Sequence, residues 1–388
     1  MKNSYGTVYI VGAGPGSPEL ITLRGAECLR RADVVMYDRL AHPALLLQAS
    51  EHAKLIYCGK KPCAHTLRQE DIQHEMIVQA KHGKKVVRLK GGDPSIFGRM
   101  AEEMEELSAR RIPYEIVPGI TAGSAAASYA GVSLTHRHHA HGYRVLTGHG
   151  QGASLETVSD WENLAATTDT IIWYMGMKRL PIIANQLIKH GKPPETNVLV
   201  VEWASHRQQR TADGTLDTIV SLIDEKKMNN PSIIIIGEVT KQHEELQWFA
   251  PSSIGGILAF PQNEVERRAY EQLKALGLEV FINPVLSEDC YYFENTFEIM
   301  DRLLDEGFIR HIIMPSTKEG KQFYNSWRQR NIYTEQPLSC WMAGEKKEPA
   351  VLSSLLPILP LERADEWPGY FLAEENGRHI DLNGKASG

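Results

Sequence analysis

A glycine-rich turn near the start of the chain could bring backbone atoms close to a small ligand. The turn, residues 12–16 (GAGPG), follows directly from the apolar run 8–11. A dinucleotide-binding turn spaces its glycines as GxGxxG, so that free N–H groups meet a pyrophosphate at a helix N-terminus. Here the spacing is GxGxG, and Pro15 has no N–H to offer an anion. The turn therefore predicts a small, flat or zwitterionic ligand rather than a dinucleotide.

Other candidate residues follow apolar runs later in the chain. Gly91, Gly92 and Asp93 come soon after the run 86–89, and Asp38 comes directly after the run 34–37. Each has an ordinary alternative, because GGDP could be a β-turn and Asp38 could cap a helix. In open α/β sheets, however, ligands bind at the carboxyl ends of the strands. The positions together therefore favour one ligand site at such an edge.

The elements that must position these residues alternate along the first 240 residues. Short β-branched runs are separated by helical patterns at 20–31, 69–82 and 98–110, which indicates an α/β fold with largely parallel sheets. Ser17 and Pro18 predict the cap and first residue of the helix after the opening turn. The strand predictions are residues 8–11, 34–37, 55–57, 86–89, 114–117, 143–147, 170–174, 197–203 and 232–237.

A break at Pro118-Gly119 divides this pattern in two. We expect an N-terminal α/β domain over residues 1–120 and a second α/β domain over 121–249, with the site in the cleft between them. A further α/β segment is expected over 251–388. Its stretch 352–361 is apolar but broken by Pro357 and Pro360, so it is an edge strand, a loop or unassigned.

Composition excludes several classes of protein. The 388 residues carry a formal net charge of −6, which does not favour a nucleic-acid or anionic-membrane partner. No apolar stretch approaches the roughly 20 residues that a membrane-spanning helix needs. The five cysteines form no CxxC pair or disulfide framework. We therefore expect a cytoplasmic protein without a signal peptide.

Several longer motifs occur together in register, and they resemble the tetrapyrrole methylase family over about residues 5–249. The resemblance implies two α/β domains, a homodimer and S-adenosylmethionine (SAM) bound in the interdomain cleft, with S-adenosylhomocysteine as product. It also implies two successive methyl transfers to uroporphyrinogen III, giving precorrin-2 for siroheme or cobalamin. The motifs that carry the resemblance are GTVYIVGAGPGSPELITLRG, DVVMYDRL, GKK, RLKGGDPSIFGR, PGITA, SLTHR and YMG.

The same resemblance assigns residues to roles. It implies Asp38 as proton acceptor and Lys60 as proton donor, with Arg99 and Glu102 handling substrate. Arg137 and His149 correspond to the substrate side of the family's site. The SAM contacts that it implies are Pro15, Gly91, Gly92, Asp93, Ile96, Thr121, Ala122, Met175 and Ala204.

These assignments have simpler alternatives. Arg99 and Glu102, three residues apart, could form a surface ion pair, and Met175 could be core filler. Lys60 could belong to a solvated lysine pair. The substrate's carboxylates require cations, for which arginine is favoured where binding is bidentate. A basic set near the expected cleft is available: Lys84, Lys85, Arg88, Lys90, Arg99, Arg137 and Arg144.

The chain departs from the family pattern at three places. THRHHA at 135–140 replaces the usual THRDYA, Met100-Ala101 replaces a Gly-Gly pair, and Ala204 stands where glycine is usual. Four histidines within residues 136–141 raise a metal site as an alternative, but no acidic or cysteine partner lies nearby in sequence, so no metal is expected. The altered loop keeps open a methyltransferase for another corrin precursor, and a non-catalytic SAM- or tetrapyrrole-binding regulator is a third hypothesis.

Residues 251–388 weakly resemble uroporphyrinogen-III synthase, which is often fused behind this kind of methylase. The pattern at 265–284 matches its opening strand–helix–strand, and Ser316-Thr317 matches a hydroxyl-bearing strand end. A bilobal synthase needs two lobes of about 100 residues each, and 138 residues are too few for both. We therefore expect one lobe, a vestige or a structural extension rather than an active synthase.

Overall fold

The computed structural model describes most of the chain in separate ranges. These are residues 5–59, 69–148, 160–250, 255–261, 263–275, 278–283, 290–315, 318–330, 339–344, 358–360, 380–381 and 385–386. Lys60 and His149 lie outside them. The chain divides into two units, Met1–His42 with Ile56–Pro251 and Pro43–Leu55 with Ser252–Gly388. The sequence did not predict that Pro43–Leu55 groups with the C-terminal residues.

The first unit contains two five-stranded sheets, and the first has the order β3-β2-β4-β1-β5. Its strands are β1 (Val8–Gly12), β2 (Val34–Tyr37), β3 (Lys54–Tyr57), β4 (Val86–Lys90) and β5 (Tyr114–Val117), and its helices are α1 (Leu23–Arg30), α2 (Gln69–Lys81) and α3 (Met100–Ala109). β1 pairs in parallel with β4 and β5, and β2 pairs in parallel with β4. Buried apolar residues of the strands pack against Ile72 and Met76 of α2 and Leu107 of α3.

The helix after the opening turn begins later than the sequence predicted. Ser17 and Pro18 lead into a single 3₁₀ turn, Pro18–Leu20, in which the Ser17 side chain makes no capping bond. α1 begins at Leu23, because Thr22 is the residue that caps it: its hydroxyl accepts from Gly25 N at 3.0 Å. Ser17 and Pro18 therefore hold the predicted N-cap and first positions of a helical turn, but of a 3₁₀ turn and without the side-chain capping bond.

The second sheet of this unit has the order β6-β7-β10-β8-β9. Its strands are β6 (Tyr143–Thr147), β7 (Thr170–Tyr174), β8 (Asn197–Glu202), β9 (Arg210–Thr215) and β10 (Ser232–Ile236). The helices around it are α4 (Ala122–Tyr129), α5 (Trp161–Ala166), α6 (Leu180–Lys189), α7 (Ile219–Lys226) and α8 (His243–Leu246). Four consecutive isoleucines make β10 apolar on both faces, as a central strand requires.

The expectation of largely parallel sheets was wrong for this second sheet. β6 pairs in parallel with β7, but β7 with β10, β10 with β8 and β8 with β9 are antiparallel. A short connection between β8 and β9 permits only an antiparallel pair, because parallel neighbours need a longer crossover. β9 was not predicted, since its sequence RTADGT has little of the β-branched and aromatic character typical of strands.

The second unit contains a third five-stranded sheet with the order β12-β11-β13-β14-β15, and all of its neighbours are parallel. The elements are β11 (Gly256–Ala259), α9 (Glu264–Ala275), β12 (Val280–Ile282), α10 (Cys290–Asp305), β13 (Ile309–Pro315), α11 (Lys318–Arg330), β14 (Ser339–Gly344) and β15 (Ile358–Pro360), followed by the two-stranded pair β16 (Ile380–Asp381) and β17 (Lys385–Ala386). Of the apolar stretch with two prolines, residues 358–360 form the edge strand β15. Ser316 and Thr317 lie outside the described residues.

None of the helices described here combines the length and the apolar character needed to cross a bilayer.

Candidate active site

A cavity of about 580 Å³ lies in the first unit, where the strands of the first sheet end. Its lining takes one residue or more from the segment after each strand: Pro15, Asp38, Cys58, Gly91 and Thr121. Tyr174 and Met175, at the end of β7, complete another part of the wall. The carboxyl-edge arrangement expected from the sequence is therefore present.

Two glycine loops meet at this edge with almost no space between their backbones. Gly14 and Gly92 exchange hydrogen bonds, with Gly14 N donating to Gly92 O at 3.2 Å and Gly92 N to Gly14 O at 2.7 Å. A Cβ built on Gly12 would lie 2.5 Å from Gly119 Cα, so that position must be glycine for the loops to close. The first turn thus packs closely against the backbone of neighbouring loops, and its predicted approach to a ligand stays a prediction.

Gly92 also leaves space for a ligand. Its φ of +69° is strained for other residues, and a Cβ built there would meet Ala122 N at 3.7 Å and no other atom within 4 Å. Gly92 lines the cavity, so a side chain would extend into free volume. The backbone at Gly92 is therefore accessible to a small ligand in the cavity.

The Asp93 carboxylate holds the loops together. One of its oxygens accepts from Gly119 N at 2.9 Å, and the other accepts from Ser95 N at 2.8 Å and is close to the Ser95 hydroxyl. The GGDP loop is therefore tied to the Pro-Gly loop that precedes α4. Asp93 lines the cavity. Its carboxylate nevertheless accepts hydrogen bonds from the two loops that it connects, which the sequence did not predict.

Strained backbone surrounds the cavity. Phe97, Arg99 and Met175 line it with φ angles of 55°, 55° and 53°, although none of them is glycine. Such a conformation in a bulky residue is uncommon and clusters at functional sites. Phe97 packs on Tyr174 with 5.2 Å between ring centroids, and the Tyr174 hydroxyl lies 2.6 Å from both Thr121 Oγ1 and Gly123 N. These contacts fix an apolar rim at the cavity.

A network of buried charges forms another wall. Arg88 donates to Asp38 Oδ1 at 2.6 Å from Nη2 and to Glu103 Oε1 at 3.2 Å from Nε. Lys90 Nζ donates to the same Glu103 oxygen at 2.9 Å, and Gln69 Nε2 does so at 3.3 Å. Arg88, Lys90 and Glu103 are all at most 4% exposed. Asp38 is thus an ionic partner of Arg88 and not a helix cap, because the next helical turn begins only at Pro43.

Burial and neighbouring charge compete within this network. Burial alone would lower the pKa of Arg88, but the carboxylates of Asp38 and Glu103 outweigh it and raise that pKa. For Lys90 the balance is opposite, because burial and the Arg88 charge lower its pKa despite the carboxylates. Burial also raises the pKa of the Cys58 thiol to about 11, so this thiol stays protonated. Lys90 is the cation of this wall whose charge is easiest to lose.

His206 contributes a neutral ring to the cavity. It is 5% exposed, stacks on His42 with 5.4 Å between ring centroids, and meets Trp203 edge-on at 5.0 Å. Burial lowers the pKa of His206 to about 4. A Cβ on Gly16 would overlap this ring, so the opening turn also packs against it.

The structure brings most of the sequence-predicted site residues to this cavity. Those that line it are Pro15, Asp38, Gly91, Gly92, Asp93, Ile96, Arg99, Thr121, Ala122 and Met175. Met175 is 42% exposed, which contradicts its interpretation as core filler.

Three predicted residues are not in the lining. Glu102 pairs with Arg99, its Oε1 accepting from Nε at 2.9 Å, so the surface ion pair considered from the sequence exists at the mouth of the cavity. Ala204 is buried, with its carbonyl against Gly16. Arg137 is exposed on its loop. Their roles, and those of Lys60 and His149 beyond the described ranges, stay predictions.

The basic set and the histidine loop are only partly connected with the cavity. Arg88, Lys90 and Arg99 line it, whereas Lys84, Lys85 and Arg144 do not. In the parts of the chain that the structure describes, no three His, Cys, Asp or Glu side chains are grouped to hold a metal ion.

Sequence reasoning missed Glu103, Gln69, Tyr174 and His206. A signal existed for Glu103, because it shares the inner helical face of α3 with Met100 and Leu107, where a charge needs a partner. Arg88 and Lys90 gave a matching signal, since they alternate in the otherwise apolar strand β4. No comparable signal marks His206.

The fold and the cavity are those of an α/β protein with a ligand site at the ends of its strands, and the comparisons with known proteins specify the class. The family model of tetrapyrrole (corrin/porphyrin) methylases matches residues 7–220. The chain therefore belongs to the tetrapyrrole methylase family.

Individual relatives narrow the similarity. The chain is 49% identical over 234 residues to the uroporphyrinogen-III C-methyltransferase of Priestia megaterium, covering 60% of this chain and 98% of that protein. It is 45% identical over 251 residues to the siroheme synthase of Stutzerimonas stutzeri (strain A1501), covering 65% of this chain and 54% of the synthase. The chain thus spans the whole of one relative but about half the length of the other.

A solved structure shares the fold. The crystal structure of uroporphyrin-III C-methyl transferase from Thermus thermophilus, complexed with S-adenyl homocysteine, is 37% identical with a TM-score of 0.52. The match covers 61% of this chain and 99% of that one. The similarity therefore concerns the methylase portion.

Proposed function

We propose that this chain is a SAM-dependent methyltransferase that methylates uroporphyrinogen III twice on carbon and yields precorrin-2, for siroheme or cobalamin. The observation that carries the proposal is the cavity on which ten predicted residues converge. The similarity to a uroporphyrinogen-III C-methyltransferase, over 98% of that protein and 60% of this chain, supports it. SAM, when bound, supplies the methyl group from its sulfonium.

The residues around the cavity suit the cofactor. The glycine cradle of Gly92 leaves room for a ligand held against backbone, and Met175 with Ile96 offers exposed apolar surface beside it. Pro15, Thr121 and Ala122 line the same cavity. We assign these residues to SAM, together with Gly91, Asp93 and Ala204.

Asp38 suits the proton step of the reaction. Methylation of a pyrrole carbon makes the ring cationic, so a proton must later leave. Arg88 holds Asp38 Oδ1 at 2.6 Å, which fixes the carboxylate at the cavity wall while 30% of its side chain stays exposed. We assign Asp38 as the proton acceptor and Lys60 as the proton donor, with Arg99, Glu102, Arg137 and His149 on the substrate side. Positioning governs the methyl transfer itself.

An anaerobic assay tests the proposal. The chain is incubated with uroporphyrinogen III and SAM, and precorrin-2 or its oxidised product is followed by absorbance. We expect product in proportion to enzyme, and tight S-adenosylhomocysteine binding without product would contradict the proposal. Methylation of another corrin precursor in its place would support the alternative acceptor that the THRHHA loop keeps open.

Other parts of the proposal need separate measurements. Hydroxymethylbilane supplied alone should give no type III isomer, because residues 251–388 are proposed to be a structural or single-lobe extension. The homodimer and the cytoplasmic location follow from the family resemblance and the composition. Light scattering on the purified chain and cell fractionation test them.

A further inference from the structure

The buried charges beside the cavity require an explanation in terms of function. Glu103 has no exposed surface, yet its Oε1 accepts from Lys90, Arg88 and Gln69 at 2.9, 3.2 and 3.3 Å. Buried ion pairs often stabilise a fold no better than apolar residues of the same volume. Stability alone therefore does not account for two cations and two carboxylates in one wall of the cavity.

Lys90 is the member of this network with bonding capacity left for a ligand. An ammonium has three N–H donors. Among the residues that the structure describes, Glu103 is the only group to which Lys90 Nζ donates. Arg88, in contrast, already bonds both Asp38 and Glu103. Lys90 lines the cavity, whereas Glu103 does not, so the lysine can meet a ligand while the glutamate holds it from behind.

We propose that Lys90 binds a carboxylate of the tetrapyrrole substrate and that Glu103 is the positioning residue that orients Lys90 and keeps it charged. This inference rests on the proposed function. SAM also has a carboxylate, but Lys90 is joined through Glu103 and Arg88 to Asp38, the proposed proton acceptor. A pyrrole ring placed against Asp38 therefore brings its acidic side chains to the same wall.

The charge of Lys90 depends on three charged neighbours. Glu103 faces it from α3, Arg88 from its own strand β4, and Asp38 from the segment after β2, whereas the nearby Cys58 thiol after β3 stays protonated and adds no charge. Burial and Arg88 lower the pKa of Lys90, and the two carboxylates oppose them. Without the charge of Glu103 the ammonium would lose its proton at lower pH, and the substrate carboxylate would lose its partner.

The test uses Glu103→Gln, which keeps the acceptor oxygen and removes the charge. We expect the basic limb of kcat/KM for the tetrapyrrole to move to lower pH by about one unit or more, the size expected when a close opposite charge is removed. KM for SAM should not change. Glu105→Gln, on an exposed position of the same helix, is the matched control and should keep the wild-type profile.

A second variant shows whether Glu103 acts through Lys90. Lys90→Arg places a guanidinium, which does not titrate in this range, at the same position. We expect the basic limb to move to higher pH in Lys90→Arg and Glu103→Gln to cause no shift in that background. A shift that persists there, or a change confined to KM for SAM, would overturn the proposal.

The remaining outcomes are also decisive. If Glu103→Gln does not fold, Lys90→Arg carries the test by itself, and a basic limb that stays in place overturns the proposal. A wild-type chain that forms no methylated product contradicts the proposed function itself. An active wild-type chain with an unshifted Glu103→Gln profile contradicts only the role of Lys90 and Glu103.

Discussion

The first and third sheets share an architecture, but the cavities described in their two units differ in size and in lining. Each has five strands with helices between them, β1 and β2 pair in parallel with β4 and β1 with β5 in the first sheet, and all neighbours in the third sheet are parallel. The segments after the first sheet's strands line a cavity of about 580 Å³, whereas the cavity described in the second unit has about 210 Å³. The same fold class therefore provides two different surroundings for a ligand.

The two cavities differ most in charge. Six charged side chains line the larger one: Asp38, Arg39, Arg88, Lys90, Asp93 and Arg99. In the smaller one Glu51 is the charged residue, and the other polar side chains are Ser50, Asn283, Asn295 and Thr296. A substrate with many carboxylates fits the first set. Fold alone does not specify function, and the residues at the strand ends do.

The largest effect that would sharpen this comparison is expected at Asp38. Asp38→Asn removes the proton acceptor while leaving an oxygen for Arg88, so kcat should fall by about 10²–10⁴-fold. Binding of S-adenosylhomocysteine should be unchanged. The measurement is the initial rate of precorrin-2 formation at saturating substrates.

The matched control is Asp33→Asn. Asp33 lies just before β2 and outside the cavity lining, and its carboxylate accepts from Lys85 N at 2.7 Å. This variant should methylate at the wild-type rate. A normal methylation rate in Asp38→Asn would show that Asp38 is not the proton acceptor. The difference in charge between the two cavities would then matter less for function.

A glycine in each sheet gives the next largest effect. A Cβ at Gly12 would lie 2.5 Å from Gly119 Cα, so Gly12→Ala must separate the loops that form the cavity. A displacement of that kind costs on the order of 10²-fold in function. We expect such a loss in S-adenosylhomocysteine affinity, measured by calorimetry.

Gly256→Ala is the counterpart in the third sheet. Its Cβ would overlap Phe308 O, so the variant should lower the thermal midpoint of the chain. Affinity for S-adenosylhomocysteine should nevertheless stay at the wild-type value, because Gly256 belongs to the other unit. Equal losses of S-adenosylhomocysteine affinity in the two variants would contradict the proposal that the cofactor site depends on the first sheet and not on the third.

The sequence predicted local features well where periodicity and residue type determine them. The apolar runs of β1, β2 and β4 gave strands close to their observed bounds, and their strand-end residues do line one cavity. The polar strand β9 and the mixed pairing of the second sheet lacked such a signal. Antiparallel pairing there depends on which strands become neighbours, which periodicity does not encode.

Contacts between distant residues limited the prediction of the site. Arg88 reaches Asp38 across 50 positions because β2 and β4 are neighbours in the sheet. Glu103 enters the same network from α3, and its role becomes apparent only when that helix is packed. The resemblance to a family predicted the loop residues of the site. The buried ionic network of Arg88, Lys90 and Glu103 behind them became visible only in the structure.

His206 gives a pH-dependent way to test the first sheet's surroundings. Burial lowers the pKa of His206 to about 4 from an ordinary 6.5. In the unfolded chain His206 therefore takes up a proton as the pH falls through 6.5. In the folded chain its ring stays neutral until the pH reaches about 4. The free energy of unfolding should be constant above this window and fall within it by about 3 kcal/mol.

Denaturant titrations from neutral pH to pH 4 measure this loss. In His206→Gln the contribution of this residue should vanish, so that the variant's stability falls less steeply between pH 6.5 and pH 4. His138→Gln, on the exposed loop, should retain the wild-type slope. An unchanged slope in His206→Gln would mean that another group causes the acid sensitivity.

The smallest effect is expected at Met175, and it separates ligand contact from core packing. The side chain is 42% exposed at the cavity, so Met175→Ala removes apolar surface that a bound SAM would cover. About 1 kcal/mol of lost burial corresponds to about a fivefold rise in Kd for S-adenosylhomocysteine. The thermal midpoint should not move, and Ile182→Ala, a similarly exposed apolar residue of α6, should change neither quantity. A lower thermal midpoint with an unchanged Kd for S-adenosylhomocysteine would show that Met175 packs the protein rather than contacting the ligand. The ligand contacts would then come from the strand ends of the first sheet.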